Sequence, residues 1–233
     1  MNKVDIGIIG AMKIEVEAIQ AVMEDKKERI ISGILFISGK LYGKDIVVAE
    51  CGIGKVFAAI CAEAMILTYN PDVIINTGVA GGLSPKLKIG DIAVSTSVVQ
   101  HDMDTSPLGD PLGLLSGINI VNIPTDDKTR ESIVKAVEEL GINCVQGVIA
   151  SGDQFVNSAD KKQMIVDTFD GIACEMEGAS ISHVCYVNKL PCCVVRSISD
   201  GADDDSHMDY PEFCKLAAKN STAVIKAFVQ QYK

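Results

Sequence analysis

Pro191-Cys-Cys-Val-Val-Arg-Ser-Ile-Ser-Asp-Gly-Ala-Asp203 is the stretch whose reading decides the fold. Cys192 to Val195 is a short apolar run after a proline, ending in two valines, and it reads as a buried strand. Arg196, Ser197, Ser199 and Asp200 then arrive together. In open α/β sheets, ligands bind outside the carboxyl ends of the strands. A buried strand ending in Arg, Ser and Asp is therefore a place to expect chemistry. An ion pair between Arg196 and Asp200 that merely closes the strand explains the same residues, so the other strand ends must decide.

Working outward, the same change of character recurs. Gly171 to Cys174 leads into Glu175-Met176-Glu177 and a helix to about Asn188, in which Glu177, Ile181 and Cys185 share one row. Val4 to Ile9 is an apolar strand, and Gly10-Ala11 turns it into a helix where Glu15, Ile19 and Met23 form a row. A carboxylate is favoured at a helix N-terminus in any case, but here it heads an otherwise apolar row beside a strand end. Val73 to Thr77 is a buried strand followed by a Gly78–Gly82 loop, whose glycines let backbone N–H groups approach a ligand. Asn143 to Ser151 is a strand that runs into Gly152-Asp153-Gln154-Phe155-Val156.

The remaining segments fill in the pattern. Gly33 to Leu41 and Lys44 to Glu50 read as a hairpin around Tyr42-Gly43, with Arg29 in a charged turn before it. Cys51-Gly-Ile-Gly-Lys55 precedes an apolar helix from Val56 to Tyr69. It lacks Walker spacing, which leaves a plain turn or a close backbone approach to a ligand. Ile92 to Val99 is a strand; helices are expected over Asp126–Leu140, Ser158–Phe169 and Tyr210–Val229. Residues 100–125 have no period and carry two Pro-Leu-Gly repeats, so they read as a functional or interfacial loop. Alternating strands and helices predict an α/β fold with a mixed, largely parallel sheet, and no linker divides residues 1–233, which read as a single domain.

Composition excludes several classes. A net charge of −10 argues against nucleic acid and anionic membrane as partners. The longest uncharged stretch, Pro111 to Thr125, is too short to span a bilayer, and no signal peptide is apparent. The eight cysteines contain no C-x-x-C pair and mostly sit in apolar runs, as expected of reduced core residues in a cytoplasmic protein. His101, His183 and His207 lack ligand spacing, so neither a metal nor another cofactor is expected.

Glu15, the glycine loop, Glu177 and Asp200 thus gather at four strand ends. Paired carboxylates without metal ligands or a nucleophile–His pair suggest acid–base cleavage of a glycosidic bond. The motifs Gly7-Ile-Ile-Gly-Ala-Met12 with Glu15, Gly52-Ile-Gly-Lys-Val56, Asp72-Val-Ile-Ile-Asn-Thr-Gly78, Ala80-Gly-Gly-Leu83, Ser151-Gly-Asp153 with Phe155, Glu175-Met-Glu177 and Arg196-Ser-Ile-Ser-Asp200 resemble those of the 5′-methylthioadenosine/S-adenosylhomocysteine nucleosidases.

That resemblance implies the nucleoside phosphorylase fold: a three-layer α/β sandwich whose mixed sheet forms a distorted barrel. It implies a homodimer that hydrolyses the N-glycosidic bond of these nucleosides and releases adenine. Asp200 would protonate adenine N7, Glu15 would activate water, and Glu177 would hold the ribose hydroxyls. Arg196 would orient the carboxylate and water network, Glu175 would be among the substrate-binding residues, and Ser199 would help set Asp200. Phe155 would stack on adenine and the Val156 backbone would read its edge. Met12, Ile53, Met176 and Tyr210 would line the sugar and tail, beside the backbone of Val79, Ala80 and Gly81. Val79 stands where many relatives have Ser. Leu108 and Leu112 would reach the partner's tail pocket, where the family often has an aromatic. The rivals are a phosphorolytic enzyme on the same fold and a silent nucleoside binder. Of the three arginines, Arg29, Arg130 and Arg196, only the last stands in the constellation, which leaves a phosphate dianion poorly served.

Overall fold

A computed structural model describes residues 3–201 and 210–232, excluding the side chains of 210 and 211. The acidic run Asp203–Asp205 and the side chain of Tyr210 lie outside the described residues. The chain opens with β1 (Ile6–Gly10), α1 (Lys13–Gln20), β2 (Glu24–Ile31), β3 (Ile34–Leu41), β4 (Lys44–Glu50) and α2 (Lys55–Tyr69). It continues with β5 (Val73–Gly82), β6 (Ile92–Gln100), β7 (Ile123–Pro124), α3 (Asp127–Glu139), β8 (Cys144–Ser151) and α4 (Ala159–Phe169). It ends with β9 (Gly171–Glu175), α5 (Gly178–Val187), β10 (Cys192–Asp200) and α6 (Tyr210–Gln231). Local chemistry sets several of these ends. The Asp126 carboxylate accepts the Thr129 N–H at 2.8 Å and caps α3, while Asn70 and Asp170 close α2 and α4 in the left-handed region.

The strands join one mixed sheet in the order β10-β6-β8-β9-β5-β1-β4-β3-β2, with β7 beside β6. β10 also pairs with β5, so β5, β9, β8, β6 and β10 close into a five-stranded barrel. The other strands extend the sheet from β5. One face is buried under α1, α3 and α6, where Val16, Ile19, Ile133, Val137 and Phe228 meet Ile8, Ile75 and Val195. The opposite face lies under α2 and α5, through Ala58, Cys61, Met65 and Ile181. This is the expected three-layer arrangement. None of the eight cysteines forms a disulfide and seven are buried, in keeping with their apolar runs.

Three expectations are corrected. Arg29 lies in a strand, β2, and not in a turn. Nearly every residue of β2 is exposed and, among the described residues, only β3 pairs with it, so no alternation marks it, and its charges suit a sheet edge. The Gly78–Gly82 segment is strand rather than loop, because β10 and β9 supply its hydrogen bonds. β10 likewise runs on through Arg196 and Ser199 to Asp200, since the barrel interior encloses polar residues that would otherwise signal a strand end. Leu112 is partly buried against the cluster containing Val99 and Phe169, and Leu108 is exposed.

Candidate active site

One cavity, of about 110 Å³, opens at the mouth of the barrel. Thirteen of the fifteen residues expected to act on or hold the nucleoside line it: Met12, Glu15, Ile53, Val79, Ala80, Gly81, Phe155, Val156, Glu175, Met176, Glu177, Ser199 and Asp200. Arg196 lies behind the wall, 1% exposed, and the Tyr210 side chain is not described. Leu108 and Leu112 are not in the lining. Ala11, Gln154 and Cys174 also line the cavity and were not singled out in the sequence. Their motif neighbours Met12, Phe155 and Glu175 were the only signal available.

Glu15 sits in the first turn of α1 and points inward, as its row predicts. Its Oε2 accepts the N–H groups of Ala11 (2.7 Å) and Met12 (2.8 Å), and its Oε1 accepts Val79 N–H (3.0 Å). The glycine strand makes this possible: a Cβ at Gly78 would lie 2.5 Å from Glu15 Oε1. Burial raises the Glu15 pKa above the ordinary value, against the pull of Arg196 and the three N–H groups. The group is therefore a stronger base than a solvated carboxylate. A hydroxyl at position 79 is not needed to hold it, because the backbone of Val79 donates.

Arg196 is paired with Glu175 and Asn76, and its Nη2 stands 3.9 Å from Glu177 Oε2. Its ionic partners are thus Glu175 and Glu177 rather than Asp200, so the simple strand-closing pair does not form. Burial acts to lower its pKa, but Glu175, Glu177 and Glu15 outweigh that effect and keep it charged. Glu175 is held from every side. It accepts Gly178 N–H at 2.8 and 3.0 Å, Glu177 N–H at 3.1 Å and the Ser151 hydroxyl, besides Arg196. The sequence shows none of this because the partners converge only through sheet register.

Glu177 faces the cavity and accepts Gly54 N–H at 2.9 Å. Burial, then the charge of Glu175, push its pKa up to about 7, against Arg196 and the Gly54 N–H. In the Gly-Ile-Gly-Lys piece the backbone bends, with Gly52 and Gly54 both at positive φ, and the Gly54 N–H meets a site carboxylate. Also in the lining, Ser199 Oγ donates to Asp200 Oδ1 at 2.8 Å. Gly81 leaves room there, since a Cβ would lie 3.0 Å from Asp200 Oδ2. Lys162 reaches from α4 to the Gly201 carbonyl at 3.1 Å, just past Asp200. Cys174 is a neutral thiol, its pKa pushed up to about 12 by burial and then by the charges of Asp200 and Glu175. No group of three or more His, Cys, Asp or Glu side chains suited to a metal ion occurs among the described residues.

The pocket therefore gathers three carboxylates: Glu15, buried and held by three N–H groups; Asp200, beside the Ser199 hydroxyl; and Glu177, with raised pKa. Comparison with known proteins bears on this arrangement. Residues 5–230 match the family model described as the phosphorylase superfamily. A 5′-methylthioadenosine/S-adenosylhomocysteine nucleosidase from Shewanella halifaxensis is 41% identical over 97% of this chain and 99% of its own. A mutant of the Helicobacter pylori nucleosidase of that name, solved with 5′-methylthioadenosine in its active site, is 39% identical with a TM-score of 0.93, covering 98% of this chain and 99% of that one. The futalosine hydrolase of Helicobacter pylori strain 26695 is 38% identical with a TM-score of 0.92, covering 97% of each chain.

Proposed function

Since the chain belongs to the phosphorylase superfamily, among its 5′-methylthioadenosine/S-adenosylhomocysteine nucleosidases, we propose that it hydrolyses the N-glycosidic bond of these two nucleosides. The observation that carries the reading is the placement of Glu15. A carboxylate with raised pKa, fixed by three N–H groups, lines the same cavity as Asp200. Asp200, as the acid, gives its proton to adenine N7. The C1′–N9 bond breaks as positive charge grows on the ribose ring. Water forms the new bond to C1′ and loses a proton to Glu15. Glu177 accepts hydrogen bonds from the ribose 2′ and 3′ hydroxyls, which fixes the sugar between acid and base. Phe155, 58% exposed at the cavity edge, offers a face on which adenine stacks, and the Val156 backbone reads the base edge. Arg196 and Glu175 hold the carboxylates apart and in place.

The working form is a homodimer. α2 buries Ala58, Cys61, Ala62 and Met65 on one face, yet Val56, Phe57 and Leu67 stand 70%, 53% and 58% exposed on the other. A helix apolar on both faces calls for cover on both. Ile53, at the start of this stripe, also lines the cavity, so a second copy seated there borders the nucleoside's 5′ tail.

Product identity tests the reaction. With 5′-methylthioadenosine, adenine and free methylthioribose should appear at equal rates with and without phosphate. Methylthioribose 1-phosphate, or turnover that requires phosphate, would move the protein to the phosphorolytic class.

A further inference from the structure

Asp102 and Lys55 lie outside the cavity lining, and the reaction as written does not use them. Lys55 Nζ stands 2.6 Å from Asp102 Oδ1 and 3.2 Å from Gln100 Oε1. Their side chains are only 18% and 15% exposed. The other Asp102 oxygen accepts Asp153 N–H at 2.9 Å, and Asp153 Oδ1 accepts the backbone N–H of Lys55 at 2.7 Å. The contacts form a closed ring: the Lys55 ammonium, Asp102, Asp153, and back to the Lys55 backbone.

Two strings lead from this ring into the site. Gly54, one residue before Lys55, is the donor to Glu177, and Ser180 Oγ of α5 grips the Lys55 carbonyl at 2.7 Å. Asp153 opens the segment that carries Phe155 and Val156 to the cavity. The joint has little slack. Gly54 has φ +100°, and a Cβ there would lie 3.0 Å from Asp153 Oδ1; a Cβ at Gly152 would lie 2.4 Å from His101 Nε2. Burial tends to raise the Asp102 pKa, but Lys55 and the Asp153 N–H more than offset it, and the group lies below the ordinary carboxylate value. An exposed ion pair contributes little. This one is shielded and shared with backbone N–H groups, so its geometry is defined.

We propose that Asp102 and Lys55 are positioning residues that aim the Gly54 N–H, and through it the Glu177 carboxylate, at the sugar. The inference rests on Glu177 holding the ribose hydroxyls. Its signature is that loss of the ring harms a substrate in proportion to the hydroxyls it offers Glu177.

The test compares kcat/KM for 5′-methylthioadenosine and its 2′-deoxy counterpart in the wild type, Lys55→Met, Asp102→Asn and Lys55→Arg. Lys55→Met and Asp102→Asn should cut the preference for the ribose substrate about 10- to 100-fold, the scale of small misplacements in a site. Lys55→Arg, which keeps a cation within reach of Asp102, should restore it. In a Glu177→Gln background either change should add little, because both act through one group. If Lys55→Met does not fold, Asp102→Asn reads the same ratio while keeping an oxygen for Asp153 N–H. Equal loss on both substrates, or effects that simply multiply with Glu177→Gln, overturns the proposal. A wild type that cleaves neither nucleoside overturns the nucleosidase reading, and this inference with it.

Discussion

Glu15 uses both oxygens as acceptors, so an amide in its place must turn its NH₂ toward a backbone donor. Glu15→Gln should therefore lose turnover by about 10²–10⁴ for the missing base. It should also lose about 1–3 kcal/mol of stability for one unmet buried donor. Asp200→Asn should show the same loss of turnover. Steady-state rates and melting curves check both, and near-normal turnover in either removes that residue's assigned role. Glu177 gives a pH signature. Its folded pKa of about 7 lies above its ordinary 4.5, so the folded state holds the proton more tightly than the unfolded chain does. Its contribution to stability is full below about pH 4.5 and is lost as pH rises through 7; Glu15 acts in the same direction. The melting temperature should fall between pH 5 and pH 8, and Glu177→Gln should flatten that slope. A slope unchanged in the mutant would mean that other groups set it. Glu15 and Glu177 were legible because each heads an apolar helix row. The partners of Arg196 were not, since Asn76 and Glu175 reach it only through strand register.

At the scale of elements, β5 does the placing. Its glycines let a helix carboxylate and a guanidinium approach a strand backbone that any side chain would block. Gly78→Ala puts a methyl 2.5 Å from Glu15 Oε1 and 3.3 Å from Arg196 Nη1. The expected result is a folded protein with kcat reduced about 10²-fold, as for a base displaced by an ångström. Wild-type kcat in Gly78→Ala would mean that Glu15 can move without consequence. The order and type of the elements were readable from apolar runs and capping residues. Strand ends were not: in β5 and β10 the run turns to glycine or polar residues while the pairing continues, with Asn76 and Glu175 on the Arg196 guanidinium and the Gly90 and Ala80 carbonyls accepting from Ser197 and Ser199. β2 went unread for the opposite reason, being a strand with no buried face.

At the scale of the whole molecule, the outward stripe of α2 predicts association. Sedimentation should find dimers, and Val56→Glu with Phe57→Glu should yield monomers whose KM rises most for nucleosides with long 5′-alkylthio tails. A wild type that sediments as a fully active monomer would sink the dimer. Of the leucines that the sequence offered for the same contact, Leu108 is exposed and Leu112 is partly buried. Barrel closure has a consequence for how the protein is made. β10 is the last strand among the described residues, yet it fills the gap between β5 and β6. A nascent chain that has not passed Asp200 leaves two apolar strand edges open, the kind of surface that chaperones meet and aggregates grow from. A product stopped at Lys189 should be insoluble where the whole chain is soluble, as fractionation after expression would report. Asp200 and Arg196 both ride on β10, so with the roles proposed for them a chain still short of that strand should be inert until its sheet can close.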